Sequence, residues 1–135
     1  MPKFGKKSRE QLGTCHEDLQ DLFNEVIKTY DCKVTCGYRG ESEQNKAFNK
    51  GHSKVKFPKG RHNSNPSKAV DVYPYPVNMQ NLDRMVHFAG FVLGLAKSME
   101  INIKWGRDWD SDWYLNDKNK TKFKDYPHFE LIKEF

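Results

Sequence analysis

Two histidines and one aspartate in this sequence have the residue types and the separation of a metal site. His62 lies in a polar loop, Asp71 follows nine residues later in "AVDVY", and His128 begins the run "HFELI". Two imidazoles and one carboxylate on separate elements are a common ligand set for catalytic zinc, and they leave the fourth position to water. Because zinc lowers the pKa of its water towards about 7, the set predicts hydrolytic chemistry. Spacing alone leaves open that the three residues are unrelated in space.

The position of Asp71 favours the metal interpretation. In a β-strand, successive side chains point to opposite faces, so Asp71 points away from Val70 and Val72. A carboxylate in the middle of a short apolar strand is costly unless it has a partner. A metal ion would be one such partner.

Two carboxylates close to His128 could act as a general base. Asp125 lies three residues before His128, with Pro127 between them, and Glu130 lies two residues after it. In a regular strand Glu130 shares a face with His128. We favour Asp125, because a loop can bring it over the open coordination position, where it would take a proton from water.

Hydrophobic periodicity predicts helices mixed with short strands, without a regular βαβ alternation. Capping boxes are predicted at Ser8–Gln11 and Thr14–Glu17. This pattern favours an α+β fold, with a small antiparallel sheet packed with helices, in a single domain over residues 1–135. The predicted helices cover about 15–29, 41–51 and 82–99, and the predicted strands are "KVTCG", "AVDVY", "INIKW" and "HFELI". The face of the third helix predicted to point inward comprises Leu82, Met85, Val86, Ala89, Val92, Leu95, Ala96 and Met99.

Composition limits the classes of function. The 135 residues carry a formal net charge of +5 and are 13% aromatic, so we expect a folded protein with an anionic partner. The sequence contains no run of 18 apolar residues, so no transmembrane helix is predicted. The N-terminal residues lack the apolar segment of a secretory signal. The basic run Lys118–Lys124 is either a solvated loop or a binding segment. Cys15, Cys32 and Cys36 are expected to be reduced core thiols rather than a disulfide or a zinc knuckle.

Several segments, in order, resemble one family of enzymes. "GRHNSNPSKAVDVYPYP" and "KDYPHFEL" are similar to motifs of the zinc peptidases that cut peptidoglycan. That family includes D-alanyl-D-alanine carboxypeptidases and phage L-alanyl-D-glutamate endopeptidases, and it has the hedgehog/DD-peptidase fold. "SREQLGTCHEDLQDLF", "GYRGESEQNKAFNKG" and "WGRDWDSDW" resemble its opening helix, its Arg-containing strand with the Gln-bearing helix, and its Trp-Gly loop. The resemblance covers nearly the whole chain.

The resemblance implies a role for each matching residue. One Zn²⁺ would be bound by His62, Asp71 and His128, with Asp125 as the catalytic base. Arg39 would contact a substrate carbonyl or carboxylate, and a guanidinium suits either group. The implied substrate-binding residues are Arg39, Gln44, Asp108 and Trp109.

Three departures from the family pattern concern details of the site. Eight residues separate His62 from Asp71 where many members have six, and a subset similar to phage enzymes shares this insertion. Gly60 stands where a serine is frequent, and Arg107 stands where a glycine is frequent. These departures concern how the substrate is recognised rather than which residues bind the metal.

The resemblance implies a phage-type endolysin that cuts the L-alanyl-D-glutamate bond of the peptidoglycan stem. The alternatives are a D-alanyl-D-alanine carboxypeptidase or, in another class, a non-catalytic module that binds cell wall or nucleic acid. We expect a monomer that is made in the host cytoplasm without a signal peptide and acts in the periplasm and cell wall. We expect neither nucleic-acid binding nor membrane insertion.

Overall fold

The computed structural model describes residues 1–115 and 123–132, so most of the basic run Lys118–Lys124 lies outside the described residues. Helices and strands are interspersed along the chain, as expected. The elements are α1 (Lys6–Leu12), α2 (Glu17–Val26), β1 (Cys32–Cys36), α3 (Glu41–Asn49), a 3₁₀ turn (Arg61–Asn63), β2 (Ala69–Pro74), α4 (Leu82–Ser98), β3 (Ile103–Trp105) and β4 (His128–Leu131).

The four strands form one antiparallel sheet in the order β1-β2-β4-β3. The last strand of the described chain is therefore inserted between β2 and β3. In this register Asp71 of β2 lies opposite both Cys36 of β1 and His128 of β4. The α+β prediction with an antiparallel sheet is confirmed, and the register brings two of the predicted site residues side by side.

The core lies between one face of this sheet and the helices α2 and α4. Val70, Val72 and Phe129 point into it, and the Phe129 ring packs edge-on against Phe23 and Phe88 at centroid distances of 5.6 and 6.3 Å. Burying apolar side chains is the main favourable term in folding. Because strand side chains alternate, the same register turns the residues between them to the opposite face. That face carries the candidate site.

The predicted capping boxes at Ser8–Gln11 and Thr14–Glu17 were wrong, although the helix expected from about residue 15 is present. Helix α1 begins at Lys6, and the hydroxyl of Ser8 lies buried within it and accepts a hydrogen bond from the backbone N–H of Val34. Helix α2 begins at Glu17, and its cap is His16, whose Nδ1 accepts from the backbone N–H of Asp18. The Thr14 hydroxyl accepts instead from the backbone N–H of Tyr38. Both hydroxyls hold distant segments together, so neither caps a helix.

The predicted inward face of α4 is correct except at its start. Met85, Ala89, Val92 and Ala96 are buried, but the side chain of Leu82 is 45% exposed. Leu82 is the first residue of the helix, where the chain has only begun to meet the core. Phe88, which was not predicted to point inward, is buried.

The three cysteines are free thiols, which confirms the prediction of reduced cysteines. Cys15 and Cys32 are buried, and burial raises the pKa of each thiol to about 12. Cys36 is not a core thiol, contrary to the prediction. It is only partly buried, with its Sγ 3.8 Å from Nδ1 of His62.

Among the described residues, none of the helices has the length and apolar character needed to cross a membrane.

Candidate metal centre and catalytic cavity

The side chains of His62, Asp71 and His128 converge on one point. The His62 Nε2 and His128 Nδ1 atoms are 3.3 Å apart, and they lie 3.3 and 3.2 Å from Oδ1 of Asp71. All three side chains are largely shielded from solvent. Three polar atoms held this close, with few competing hydrogen bonds available, form an arrangement suited to a shared cation.

Neighbouring groups decide which ring nitrogen of each histidine faces this point. His62 Nδ1 lies 2.7 Å from the backbone carbonyl of Gly37, which can only accept, so Nδ1 carries the proton. His128 Nε2 lies 2.8 Å from Oε1 of Glu130 and donates to that carboxylate. In the neutral imidazoles, the lone pairs are therefore on His62 Nε2 and His128 Nδ1. Such partners fix the tautomer of histidines that bind metals.

The backbone around His62 places this side chain against the sheet. The 3₁₀ turn is anchored because Arg39 N–H donates to the His62 carbonyl at 2.8 Å. At Gly37 the chain passes so close to α1 that a Cβ would collide with the Gln11 carbonyl and the Thr14 hydroxyl. Only glycine fits this passage, and it lets the Gly37 carbonyl reach His62.

Burial and the attraction between opposite charges shift the pKa values of these three side chains in opposite directions. Burial alone would raise the pKa of Asp71, but the two imidazoles hold it well below its usual range. Burial alone would lower the pKa of His62 and His128, but Asp71 outweighs it and raises them to about 10 and about 9. In the protein without a metal, Asp71 therefore favours the protonated form of the imidazoles. A bound cation would take the place of those protons.

The donor set fits a zinc ion. Around four-coordinate zinc with bonds of about 2.0–2.1 Å, neighbouring ligand atoms lie about 3.3 Å apart, as these three atoms do. Groups able to hold a metal surround Asp71, one with Cys36 and His62 and another with Asp125 and His128. A site using Cys36 is less suitable, because the His62 nitrogen closest to its sulfur already donates to Gly37. The residues therefore fit a metal ion held by two imidazoles and one carboxylate.

Asp125 stands beside this point without being tied to it. Its Oδ2 lies 3.8 Å from Nδ1 of His128, the nitrogen that faces Asp71. Gly106 fixes the position of this segment, since its N–H donates to the His128 carbonyl and its carbonyl accepts from the Asp125 N–H. A Cβ at Gly106 would collide with the Asp125 backbone. Burial, followed by the charge of Asp71, raises the pKa of Asp125 to about 6.

Glu130 contacts the other side of His128. Its Oε1 accepts from Nε2, and its Oε2 lies 3.4 Å from Nε of Arg61. Burial would raise the Glu130 pKa, but the His128 hydrogen bond and nearby positive charges lower it below its usual value. Arg61 also donates to the Leu131 carbonyl. Glu130 is thus a charged partner that orients His128, and it lies on the ring nitrogen remote from Asp71.

Arg39 and Gln44 form a connected pair at the edge of the site. Nη2 of Arg39 lies 3.4 Å from Oδ2 of Asp71, and Nη1 donates to Oε1 of Gln44 at 3.2 Å. Gln44 is only 1% exposed, and its amide nitrogen donates to the Ser53 hydroxyl and the Val55 carbonyl. The side chain of Gln44 therefore links Arg39 to the loop that follows α3.

An open cavity of about 360 Å³ lies over these residues. Its walls include Trp109, whose ring centroid is 5.4 Å from that of His128, and Phe123, which stacks on Trp109. Asp108 does not line this cavity, although it was expected to bind substrate. Its Oδ2 accepts from the Trp113 N–H, and it lies with Asp110 and Asp112. Asp108 instead stabilises the loop that carries Trp109.

The structure adds residues to the cavity that the sequence did not single out, among them Lys54, Lys59, Arg61 and Phe123. Arg61 directly precedes His62, which was the available clue. Lys54 and Lys59 lie in the polar loop, residues 52–68, that contains His62. Glu130 was predicted as a competing base, and its pairing with Arg61 gives it another place in the site.

Comparison with known proteins identifies the family. The model of the family described as phage L-alanyl-D-glutamate peptidase matches residues 1–132. The L-alanyl-D-glutamate peptidase of Escherichia phage T5 is 26% identical over 136 residues, covering 96% of this chain and 98% of that protein. The crystal structure of the Serratia marcescens L-Ala D-Glu endopeptidase ChiX superposes with a TM-score of 0.73 at 25% identity, covering 96% of this chain and 90% of that chain. The chain belongs to the phage L-alanyl-D-glutamate peptidase family.

Proposed function

We propose that this protein is a zinc-dependent endopeptidase that hydrolyses the L-alanyl-D-glutamate bond of the peptidoglycan stem, as a phage-type endolysin. The observation that carries the proposal is the convergence of His62 Nε2, Asp71 Oδ1 and His128 Nδ1 beneath an open cavity, with Asp125 beside them. The family and the relatives named above support the choice of bond.

In this proposal His62, Asp71 and His128 hold the zinc ion. Zinc with three protein ligands supplies a Lewis acid that lowers the pKa of a coordinated water towards about 7. Glu130 and the Gly37 carbonyl keep the two imidazoles in the tautomers that coordination needs. Arg61 in turn holds the Glu130 carboxylate in place.

Asp125 is the proposed general base. It accepts the proton of the water whose oxygen attacks the alanyl carbonyl carbon. It then donates that proton to the glutamate nitrogen as the C–N bond breaks, so that the carboxylate returns to its starting state. In the metal-free protein, burial and the charge of Asp71 raise the pKa of Asp125 to about 6, so its carboxylate is mostly ionised at neutral pH. Glu130 is less suited, because both of its oxygens are already paired.

Arg39, Gln44 and Trp109 form the proposed substrate-binding wall. The Arg39 guanidinium lines the cavity, and its contacts with Asp71 and Gln44 hold it in one orientation, ready to donate to a substrate carbonyl or carboxylate. The Trp109 ring supplies an apolar surface close to His128 for the stem peptide.

The proposed place of action is the bacterial cell wall. The formal net charge of +5 favours retention among anionic envelope polymers. We propose synthesis in the host cytoplasm, release to the periplasm by another protein, and action as a single-domain monomer.

Digestion of purified peptidoglycan, followed by mass spectrometry, tests the function. With zinc present we expect new N-terminal glutamate residues, and chelation of the metal should abolish them. Loss of terminal D-alanine instead would replace this proposal with a carboxypeptidase. An absence of any cleavage by zinc-loaded, folded protein would refute peptidase activity.

A further inference from the structure

The mouth of the cavity carries more positive charge than its own carboxylates can neutralise. Arg39 is paired with Asp71, and Arg61 is paired with Glu130. Lys54 and Lys59 also line the cavity, and neither belongs to any ion pair among the described residues. We refer to Lys54 and Lys59 as the mouth lysines. Their ammonium groups remain available to an anionic ligand that enters the cavity.

The loop that bears the mouth lysines is tied to the rest of the site. The buried amide of Gln44 donates to Ser53 and Val55 on either side of Lys54. The side chain of Asn45 accepts from the Phe57 N–H. Lys59 directly precedes Gly60, whose N–H donates to the side chain of Asn63 in the 3₁₀ turn. These contacts fix the position, relative to His62, of the backbone that carries the two lysines.

Lys54 is also placed by the aromatic wall. Its Nζ lies 5.2 Å from the centroid of the Phe123 ring, within the range of a cation–π contact. Phe123 stacks on Trp109, and Trp109 contacts His128. A substrate lying on this wall next to the reacting centre would therefore have the Lys54 ammonium close to one end.

We propose that the mouth lysines form a subsite for the carboxylates of the stem peptide on the amine side of the cleaved bond. This inference rests on the proposed function. In the stem the D-glutamate is linked through its γ-carboxyl, so its α-carboxylate is free, and a diaminopimelate at the third position adds another. On the acyl side the alanine is joined to the sugar by a neutral amide. Negative charge thus enters the cavity from the amine side, where an ammonium suits an exposed carboxylate.

Synthetic peptides test the subsite. The parent peptide is N-acetyl-L-alanyl-γ-D-glutamyl-L-lysine. In a second peptide, D-isoglutamine replaces the glutamate and removes the α-carboxylate. In a third, diaminopimelate replaces the lysine and adds a carboxylate. Zinc-loaded enzyme and a Lys54→Met/Lys59→Met variant are compared by kcat/KM. Binding is measured by calorimetry on the Asp125→Asn variant with and without the same two substitutions.

We expect the unmodified enzyme to prefer a carboxylate-bearing peptide by about tenfold, as for hydrogen bonds between charged groups. The double variant should lose most of that preference while cleaving the isoglutamine peptide at nearly the parental rate. The peptide pair that shows the loss identifies which carboxylate is bound. A Lys7→Met/Lys33→Met variant, altered in a separate cleft, is the control and should keep the preference.

The proposal would be overturned if the Lys54→Met/Lys59→Met variant kept the same ratio of kcat/KM for the carboxylate-bearing peptide to kcat/KM for its counterpart without that carboxylate. This holds even if every peptide is cleaved. If the enzyme cleaves neither these peptides nor purified peptidoglycan, the proposed function fails, and the binding measurement still decides the subsite. Equal affinity of the carboxylate and amide peptides for the Asp125→Asn variant would then reject it. A loss of discrimination equal to that in the control variant would also reject it, because the effect would come from net charge alone.

Discussion

His62 and His128 present opposite ring nitrogens to one another, Nε2 facing Nδ1 at 3.3 Å, although 66 positions separate them in the chain. The asymmetry follows from their partners, a backbone carbonyl for the first ring and a carboxylate for the second. Each partner accepts a hydrogen bond from one ring nitrogen, so the lone pair is on the other nitrogen and is free to bind a cation. The proposed metal centre thus depends on its hydrogen-bond acceptors as much as on its ligands.

Substitutions of Asp125 and His128 should have different effects on zinc content and activity. Asp125→Asn keeps the shape but removes the proton acceptor, so wall hydrolysis should drop by about 10²–10⁴-fold while bound zinc is retained. His128→Ala should lose both zinc and activity. Zinc content by atomic absorption and wall hydrolysis are measured on both variants. Asp110→Asn, at an exposed carboxylate, is the matched control and should retain both properties. Normal hydrolysis by Asp125→Asn would remove Asp125 from the mechanism.

Glu130→Gln should lower the affinity for zinc more than it lowers the rate of hydrolysis by the zinc-loaded enzyme. The glutamine oxygen still accepts from His128 Nε2, but the negative charge that orients the ring and pairs with Arg61 is gone. Loss of such a partner typically costs about 10–100-fold in metal affinity. Competition with a chelator measures this loss, and saturating zinc should restore the rate to within a few-fold. If Glu130→Gln is inactive at saturating zinc while Asp125→Asn is active, the base is Glu130.

Arg39→Lys should be far more harmful than a change that conserves charge. The planar guanidinium reaches Asp71 and Gln44 at the same time, and an ammonium cannot reproduce that fork. We expect turnover to fall by at least about tenfold, which corresponds to one hydrogen bond between charged groups. Circular dichroism checks that the variant folds. Arg84→Lys, at a partly buried arginine that donates to the Tyr75 carbonyl away from the cavity, is the matched control. Equal turnover by both variants would count against a role for Arg39.

The stability of the metal-free protein should fall on both sides of neutral pH. The pKa values of His62 and His128 are raised above about 6.5 in the folded state, so their contribution is complete below pH 6.5 and is lost as pH rises through about 9 to 10. The pKa of Asp71 is lowered, so its contribution is present above pH 4 and is lost on further acidification.

Thermal unfolding measured at several pH values tests this dependence. Chelated protein should lose melting temperature between pH 6.5 and 10. Zinc-loaded protein should not show this loss, because a metal-bound imidazole is already neutral, with no proton on its coordinating nitrogen to lose in this pH range. A His62→Gln variant should have a shallower alkaline slope than the chelated parent. Identical alkaline slopes with and without zinc would contradict the proposed ligands.

Local patterns predicted the parts of the molecule that depend on local forces. Alternation in "AVDVY" was enough to turn Asp71 away from the core, and spacing in α4 identified most of its buried face. Long-range contacts determined what was missed. Ser8 and Thr14 have the sequence of helix caps, but their hydroxyls bond to segments more than twenty residues away. Asp108 matched a motif, yet its carboxylate faces the Trp113 backbone. The pairing of Arg61 with Glu130 also leaves no signal in a single sequence.

The insertion of β4 between β2 and β3 has a consequence for how the enzyme is made. Strand β4 pairs with residues about 60 positions earlier, and contacts between distant segments form slowly because loop closure must come first. His62 and Asp71 therefore lack the third proposed ligand, His128, until β4 has inserted between β2 and β3. Metal uptake should accordingly follow refolding with the same rate constant instead of nucleating it. A nascent or partly unfolded chain would carry no peptidase activity, so folding itself acts as the switch that turns the enzyme on.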